Sequence, residues 1–329
     1  MAPVELMARL NSVSYKNWVK GGHCLLLLKR SLEGFVGSCM ETFHGSLLSH
    51  SPVLKGTECS GYCRPRGKQF QPRCPACIAW KREILNHHTQ RSGDVYWGNC
   101  RPALWCSNSW ELAKAYMPRG QMDKSGPEKC DAAALLNLLS SCDYFSAVNS
   151  SKVRDVINCR NELMHSSDMK VSSEWLDTFG KRIKGLIGEF QHVSEIKAVN
   201  SRIEELLASD WAVHVPDGDQ MDGLSYCIET QIGEIEVELI KEKLQEIFFQ
   251  TEEHEILSEE VRCCVKKVKT FLQENKDLEC HFQAELQKLD GLLEMQNSKS
   301  FQEQSIDKEP SEKKEEDDDC LVVKKKRCC

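Results

Sequence analysis

Two groups of residues in this chain have the types and spacing to do chemistry. The first is Arg160-Asn161-Glu162-Leu163-Met164-His165. Arginine holds a fixed positive charge and a planar fork of donors suited to phosphate oxygens. Histidine accepts and returns a proton near neutral pH. Metal-free cleavage of RNA needs both, a base for the 2′-hydroxyl and a cation for the charged phosphorane. The plainer reading is a surface arginine and a helix-end histidine with structural partners.

The second group is rich in metal ligands. Cys59, Cys63, Cys74, Cys77, Cys100 and Cys106 lie close in sequence, with His87 and His88 among them. Cys74-Pro75-Ala76-Cys77 is a Cys-x-x-Cys knuckle, which brings two thiolates within reach of one tetrahedral ion at about 2.3 Å. If Cys77 opens a helix, then Trp80, Ile84 and His87 or His88 share its face. The chain then returns through Trp97-Gly98-Asn99-Cys100 to supply a fourth ligand. The expected quartet is Cys74, Cys77, His88 and Cys100, with His87 as the alternative histidine. Cys59, Cys63, Cys74 and Cys77 form the competing quartet.

The metal expected is a structural zinc, because few aliphatic residues hold this stretch together and no HExxH-like carboxylate accompanies it. It would fix Arg64, Arg66, Lys68, Arg73, Lys81 and Arg82 in one surface, with Tyr62 and Phe70 available for base stacking. Reduced thiols without metal, in an ordinary basic loop, are the competing account.

The elements that must position these groups are helical. Leu6, Leu10, Val13 and Trp18 open a pattern over residues 4–50 that predicts two or three helices. A Gly-, Pro- and Cys-rich loop interrupts it from residue 51, a short helix spans Ala76 to His88, and the bundle resumes at Trp110. A helix led by Cys130-Asp131 follows, then the Arg160 helix. Leu176, Phe179, Ile183, Leu186, Ile187, Phe190 and Val193 make the buried stripe of another. Beyond it, 3–4 spacings from Val237 to Leu293 break near His254 and Asn275, which predicts a folded-back helical array. Residues 297–329 are polar and charged, and are expected to be disordered.

Charge divides along the chain. The net charge of −7 contains a stretch from Lys55 to Arg101 with nine basic and three acidic residues. From Glu229 to Glu294 there are seventeen acidic and eight basic residues. The first suits phosphate and the second suits solvent or a protein partner. No apolar run approaches the length of a membrane span, and no signal-peptide pattern opens the chain. Eighteen cysteines are then read as metal-binding, buried or lipidated thiols of a cytoplasmic or nuclear protein.

The order of the Cys130-Asp131-Ala132-Ala133-Ala134-Leu135-Leu136 helix, the Arg160-Asn161-x-x-x-His165-Ser166 helix and the following amphipathic helix resembles the HEPN family. The likeness is closest to the HEPN module of the DAZ-interacting zinc-finger ubiquitin ligase type. The runs Tyr15-Lys16-Asn17-Trp18-Val19-Lys20-Gly21-Gly22-His23-Cys24, Trp97-Gly98-Asn99-Cys100-Arg101-Pro102 and Trp110-Glu111-Leu112-Ala113-Lys114 resemble the vertebrate X-chromosome open reading frame 38 family over nearly the whole chain. This second likeness brings no activity with it. The HEPN resemblance implies a helical bundle, often a homodimer, that either cleaves RNA or serves as a binding module. In the nuclease case His165 would deprotonate or orient the 2′-hydroxyl, Arg160 would stabilise developing charge, and Asn161 would position the phosphate or the histidine. Those effects together supply about 5–8 kcal/mol of barrier lowering. Five residues on a helix place Arg160 and His165 about 140° apart, which arginine's length or dimerisation must close.

The tail ends Lys324-Lys325-Lys326-Arg327-Cys328-Cys329. It would contact a membrane only if Cys328 or Cys329 were acylated. The sequence therefore points to a mainly α protein: a HEPN-like domain over 1–194 with a zinc-binding insertion at 51–108, a helical interaction region over 195–296, and a charged tail. Its expected function is as an RNA-associated or protein-interaction module, with a metal-independent endoribonuclease leaving 2′,3′-cyclic ends as the alternative.

Overall fold

A computed structural model describes residues 2–56, 59, 61–90, 94–209, 211, 223–253 and 258–306. Among them no strand forms, and the mainly α expectation is met. The region 4–50 is two helices, α1 (Ala2–Leu10) and α2 (Val13–His50). At 38 residues α2 is about 57 Å long. It packs against most of the other helices and forms the axis of the molecule.

After the short α3 (Pro52–Gly56), the insertion contributes α4 (Pro75–Asn86). Then come α5 (Ser109–Ala113), α6 (Ala132–Ser141), α7 (Ser150–His165), α8 (Ser173–Ile187) and α9 (Ser194–Ala208). Polar side chains start α5 to α8 as N-cap chemistry requires, whereas α9 follows Val193 without a side-chain cap. Asp131 accepts from the Ala134 amide at 2.7 Å, Asn149 caps α7 and Ser172 caps α8. The stripe read on α8 is buried, with Phe179, Ile183 and Leu186 inaccessible to solvent.

The insertion is rooted in the common core. Phe70, Trp97 and Trp105 pack with ring centroids 5.4–6.3 Å apart. His44 Nε2 of α2 lies 2.7 Å from the Trp105 carbonyl oxygen. Aromatic area thus does part of what the missing aliphatics would do.

The C-terminal array is α10 (Gly223–Glu253), α11 (Glu259–Glu274), α12 (Lys276–His281) and α13 (Gln283–Ile306). These helices fold back on one another, and α10 lies across α1, α2 and α7. Close approach is built into α2. A Cβ on Gly22 would meet the Leu239 side chain at 2.3 Å, and one on Gly21 would meet Trp175 at 3.2 Å. Buried charge fixes the register. Arg9 donates to both carboxylate oxygens of Glu236 at 2.7 Å, and the Tyr15 hydroxyl donates to Glu236 at 2.6 Å. Arg9 also reaches Asp277 at 2.8 and 2.9 Å.

The expected boundary at 297 falls within α13, which runs to Ile306. The tail cysteines and the basic run beside them lie outside the described residues.

Candidate functional site

Four thiols converge at the N-terminus of α4. The sulfurs of Cys59, Cys63, Cys74 and Cys77 all lie within 4.8 Å of one another. Cys63 and Cys74 are 3.6 Å apart. A tetrahedral S₄ site with 2.3 Å metal–sulfur bonds needs sulfurs about 3.8 Å apart, so the donor set and its spacing fit zinc. Local structure explains the placement. Cys74 is the N-cap of α4, its sulfur accepts the Cys77 amide at 3.4 Å, and Pro75 takes the first helical position. The Arg73 amide donates to Cys63 Sγ at 3.2 Å. Burial pushes the Cys63 thiol up, but bonds from Arg73, Cys74 and Cys77 outweigh it and bring it down to about 7. Burial and the neighbouring thiols push Cys77 the other way. Four sulfurs this close ionise together only beside a cation.

The competing quartet is therefore the one the fold assembles, and His88 and Cys100 do not belong to it. Cys77 lies in the first turn of α4 and His88 just beyond its end at Asn86, so a helix of about 18 Å stands between the thiols and the histidine. His88 instead stacks on Tyr116, with centroids 5.9 Å apart, and its Nδ1 accepts the Gln90 amide at 3.2 Å. His87, the alternative, holds Asp143 at 2.9 Å. Cys100 is buried in the bundle among Trp105, Glu111 and Lys114, and burial raises its thiol.

Beside the thiols, Tyr62, Arg64, Arg66, Gln69, Gln71 and Arg73 line an open concavity of about 860 Å³. Tyr62 is 80% exposed. Lys81 closes one side, donating to the Phe70 carbonyl at 2.7 Å and lying over the Phe70 and Trp97 rings. No acidic residue occurs between Cys59 and Arg82. Arg64, Arg66 and Arg73 make no ion pair among the described residues.

Arg160, Asn161 and His165 end up elsewhere, at the joint between α7 and α10. Arg160 is 4% exposed. Its Nε and Nη2 donate to Glu242 at 3.2 and 2.8 Å, its Nη1 donates to Glu246 at 3.1 Å, and Asp131 lies 3.7 Å from Nη2. The Asn161 side-chain oxygen accepts from Nη1 at 3.4 Å. His165 is half-exposed, with Nε2 4.0 Å from Glu246 and Nδ1 accepting from Gln250 at 3.2 Å. Arginine and histidine thus share Glu246 despite their angular separation on α7. Burial lowers the His165 pKa, Glu246 opposes that, and Arg160 and Lys243 add to it. Lys243, wholly buried, donates to the Met164 and Ser166 carbonyls at 2.8 and 2.6 Å, where a helix C-terminus favours a cation.

Sequence reasoning missed these α10 partners. The signal was Glu242 and Glu246, two like charges one turn apart, which repel unless a cation lies between them.

A cysteine knuckle and a buried charge joint, carried on one helical scaffold, make this a mainly α protein with four thiols gathered at metal-binding distance. The family model described as "Domain of unknown function (DUF4559)" matches residues 9–309, and the chain belongs to that family. It is 53% identical over 300 residues to the Mus musculus protein titled "Uncharacterized protein CXorf38 homolog", covering 89% of this chain and 93% of that one. No solved structure matches. Among the described residues no helix is long and apolar enough to cross a membrane.

Proposed function

We propose that this chain is an intracellular binding module that holds single-stranded RNA on the basic face of its insertion, with a structural zinc on Cys59, Cys63, Cys74 and Cys77. The observation that carries this is the juxtaposition of Arg64, Arg66 and Arg73, unneutralised by any described carboxylate, with exposed Tyr62 at one metal-type knuckle. Cationic grooves with exposed aromatics hold the backbone electrostatically and the bases by stacking. In this reading the bundle is of the HEPN type, and Arg160 serves the fold. Its charge is met by three carboxylates, which leaves none for phosphate.

The test is fluorescence anisotropy of a mixed single-stranded RNA pool at two salt concentrations. Arg64→Ala/Arg66→Ala/Arg73→Ala should weaken binding and flatten its salt dependence by about two to three charges' worth. Equal binding by wild type and the triple variant would sink the reading.

One observation favours the endoribonuclease: His165 is half-exposed and its lowered pKa keeps it a neutral base. Cleavage in EDTA that leaves 2′,3′-cyclic ends, abolished in both Arg160→Ala and His165→Ala, would establish it in place of the first reading.

A further inference from the structure

A second concavity, of about 640 Å³, lies between α6, α7 and the residues that follow α4. α6 and α7 pack along an apolar seam, with Leu135 and Leu139 of one and Val153 and Val156 of the other all buried. Beside that seam both helices turn polar. Ser150, Arg154 and Asn158 recur every four residues and make one stripe along α7. Asn137, Ser140 and Ser141 do the same at the end of α6, and both stripes line the concavity.

Several polar groups there are uncommitted, although the Thr89 hydroxyl donates to the Ser140 carbonyl at 2.9 Å. Arg154 makes no ion pair among the described residues, and the hydroxyls of Ser140, Ser141 and Ser150 bond to none of them. Asn137 gives its Nδ2 to the Ala133 carbonyl at 2.8 Å, which leaves Oδ1 as an acceptor. Because His88 Nδ1 accepts the Gln90 amide, the proton of the neutral ring sits on Nε2 and is a donor. The carboxylate in the lining, Asp94, is met by Lys68 at 2.7 Å. His88 and Tyr116 stack on each other and are both buried, so the wall offers no open aromatic face for a flat ring.

A cation and an imidazole N–H suit a phosphate monoester, and rows of hydroxyls and amides suit a polyol. The geometry points to a binding site for a sugar phosphate, with Arg154 and His88 on the phosphate and the two Ser–Asn stripes on the hydroxyl-rich body. The size is that of an ordinary small-molecule site. It is separate from the basic face of the insertion and stands or falls without it.

Calorimetric titration of the full chain with ribose 5-phosphate, beside ribose and inorganic phosphate, tests this. Ribose 5-phosphate should bind, ribose should not, and inorganic phosphate should bind at least about tenfold more weakly. Arg154→Ala should weaken ribose 5-phosphate by about tenfold. Ser150→Asp sets a carboxylate one turn from Arg154 at the start of α7, where negative charge favours the helix. It should abolish binding while the melting temperature holds or rises. The triple arginine variant of the insertion should bind ribose 5-phosphate as wild type does. AMP separates the two sources of such a group: competition admits nucleotides to the site, and exclusion restricts it to free sugar phosphates. Equal binding of ribose and ribose 5-phosphate, silence from folded wild type, or full binding by Ser150→Asp would overturn the proposal.

Discussion

Arg160 directs two of its nitrogens at a single oxygen of Glu242, at 3.2 and 2.8 Å, across a sequence separation of 82 residues. That contact ties the C-terminal array to the bundle. It is also over-supplied with negative charge, since Glu246 and Asp131 crowd the same guanidinium. Burial, then Asp131, then Glu246 push the Glu242 carboxyl up, and Arg160 only partly offsets them. The carboxyl settles at about 7.

Removing the cation leaves Glu242 largely enclosed without its partner, with the half-buried Asp131 and Glu246 beside it. Arg160→Ala should cost about 3–5 kcal/mol of stability in urea unfolding. Amide exchange in α10 should rise with it. A loss below about 1 kcal/mol would place the pair among surface-like bridges.

The pH dependence follows from the direction of the Glu242 shift. A carboxyl raised in the folded state keeps its proton where the unfolded chain has lost it. Stability from this group is therefore full at acid pH and falls as pH rises from about 4.5 to about 7. His23, His88 and His165 are all lowered by burial and act oppositely, losing stability as pH drops through 6.5. Subtracting Glu242→Gln from wild type isolates the carboxyl. The difference in unfolding free energy should change between pH 5 and pH 8, in favour of the variant at the higher pH. A flat difference would remove Glu242 as the titrating group.

The thiol quartet predicts a pattern of metal content. Zinc should bind near one per chain and disappear in Cys59→Ser and in Cys77→Ser. It should persist in His88→Gln and Cys100→Ala. Chelation should lower the melting temperature and alter tryptophan fluorescence, because Trp80, Trp97 and Trp105 pack in and around the insertion. Metal retained by Cys59→Ser and lost from His88→Gln would reverse the assignment.

Gly22→Ala tests the seating of α10. Its Cβ would fall 2.3 Å from Leu239, so about 1–3 kcal/mol of stability should be lost. Leu239→Ala should be less damaging in that background than alone. A double-mutant cycle reads the coupling directly.

Much of this was legible in the residues, for reasons that differ by scale. Local signals carried well: the α8 stripe, the Asp131 position and the Cys-x-x-Cys knuckle all act within a few residues. The expected metal quartet differs from the gathered thiols at His88 and Cys100, because helical periodicity says nothing about axial rise and α4 ends before His88. Cys59 and Cys63 sit on an irregular loop, where periodicity gives no guidance. The Arg160 partners were out of reach for another reason. A guanidinium 82 residues from its carboxylate leaves no mark beyond the odd pairing of Glu242 with Glu246. The finer likeness to HEPN proteins belongs to the proposed function.

α4 has thiols at its first turn and histidines just past its last, with Ala76, Trp80 and Ile84 seated in the core between them. Such a segment behaves as a strut about 18 Å long. One end carries the sulfurs of Cys74 and Cys77. The other ends at His87 with Asp143 and at His88 on the wall of the polar concavity. A displacement at either end of this segment is therefore carried to the other through one short helix.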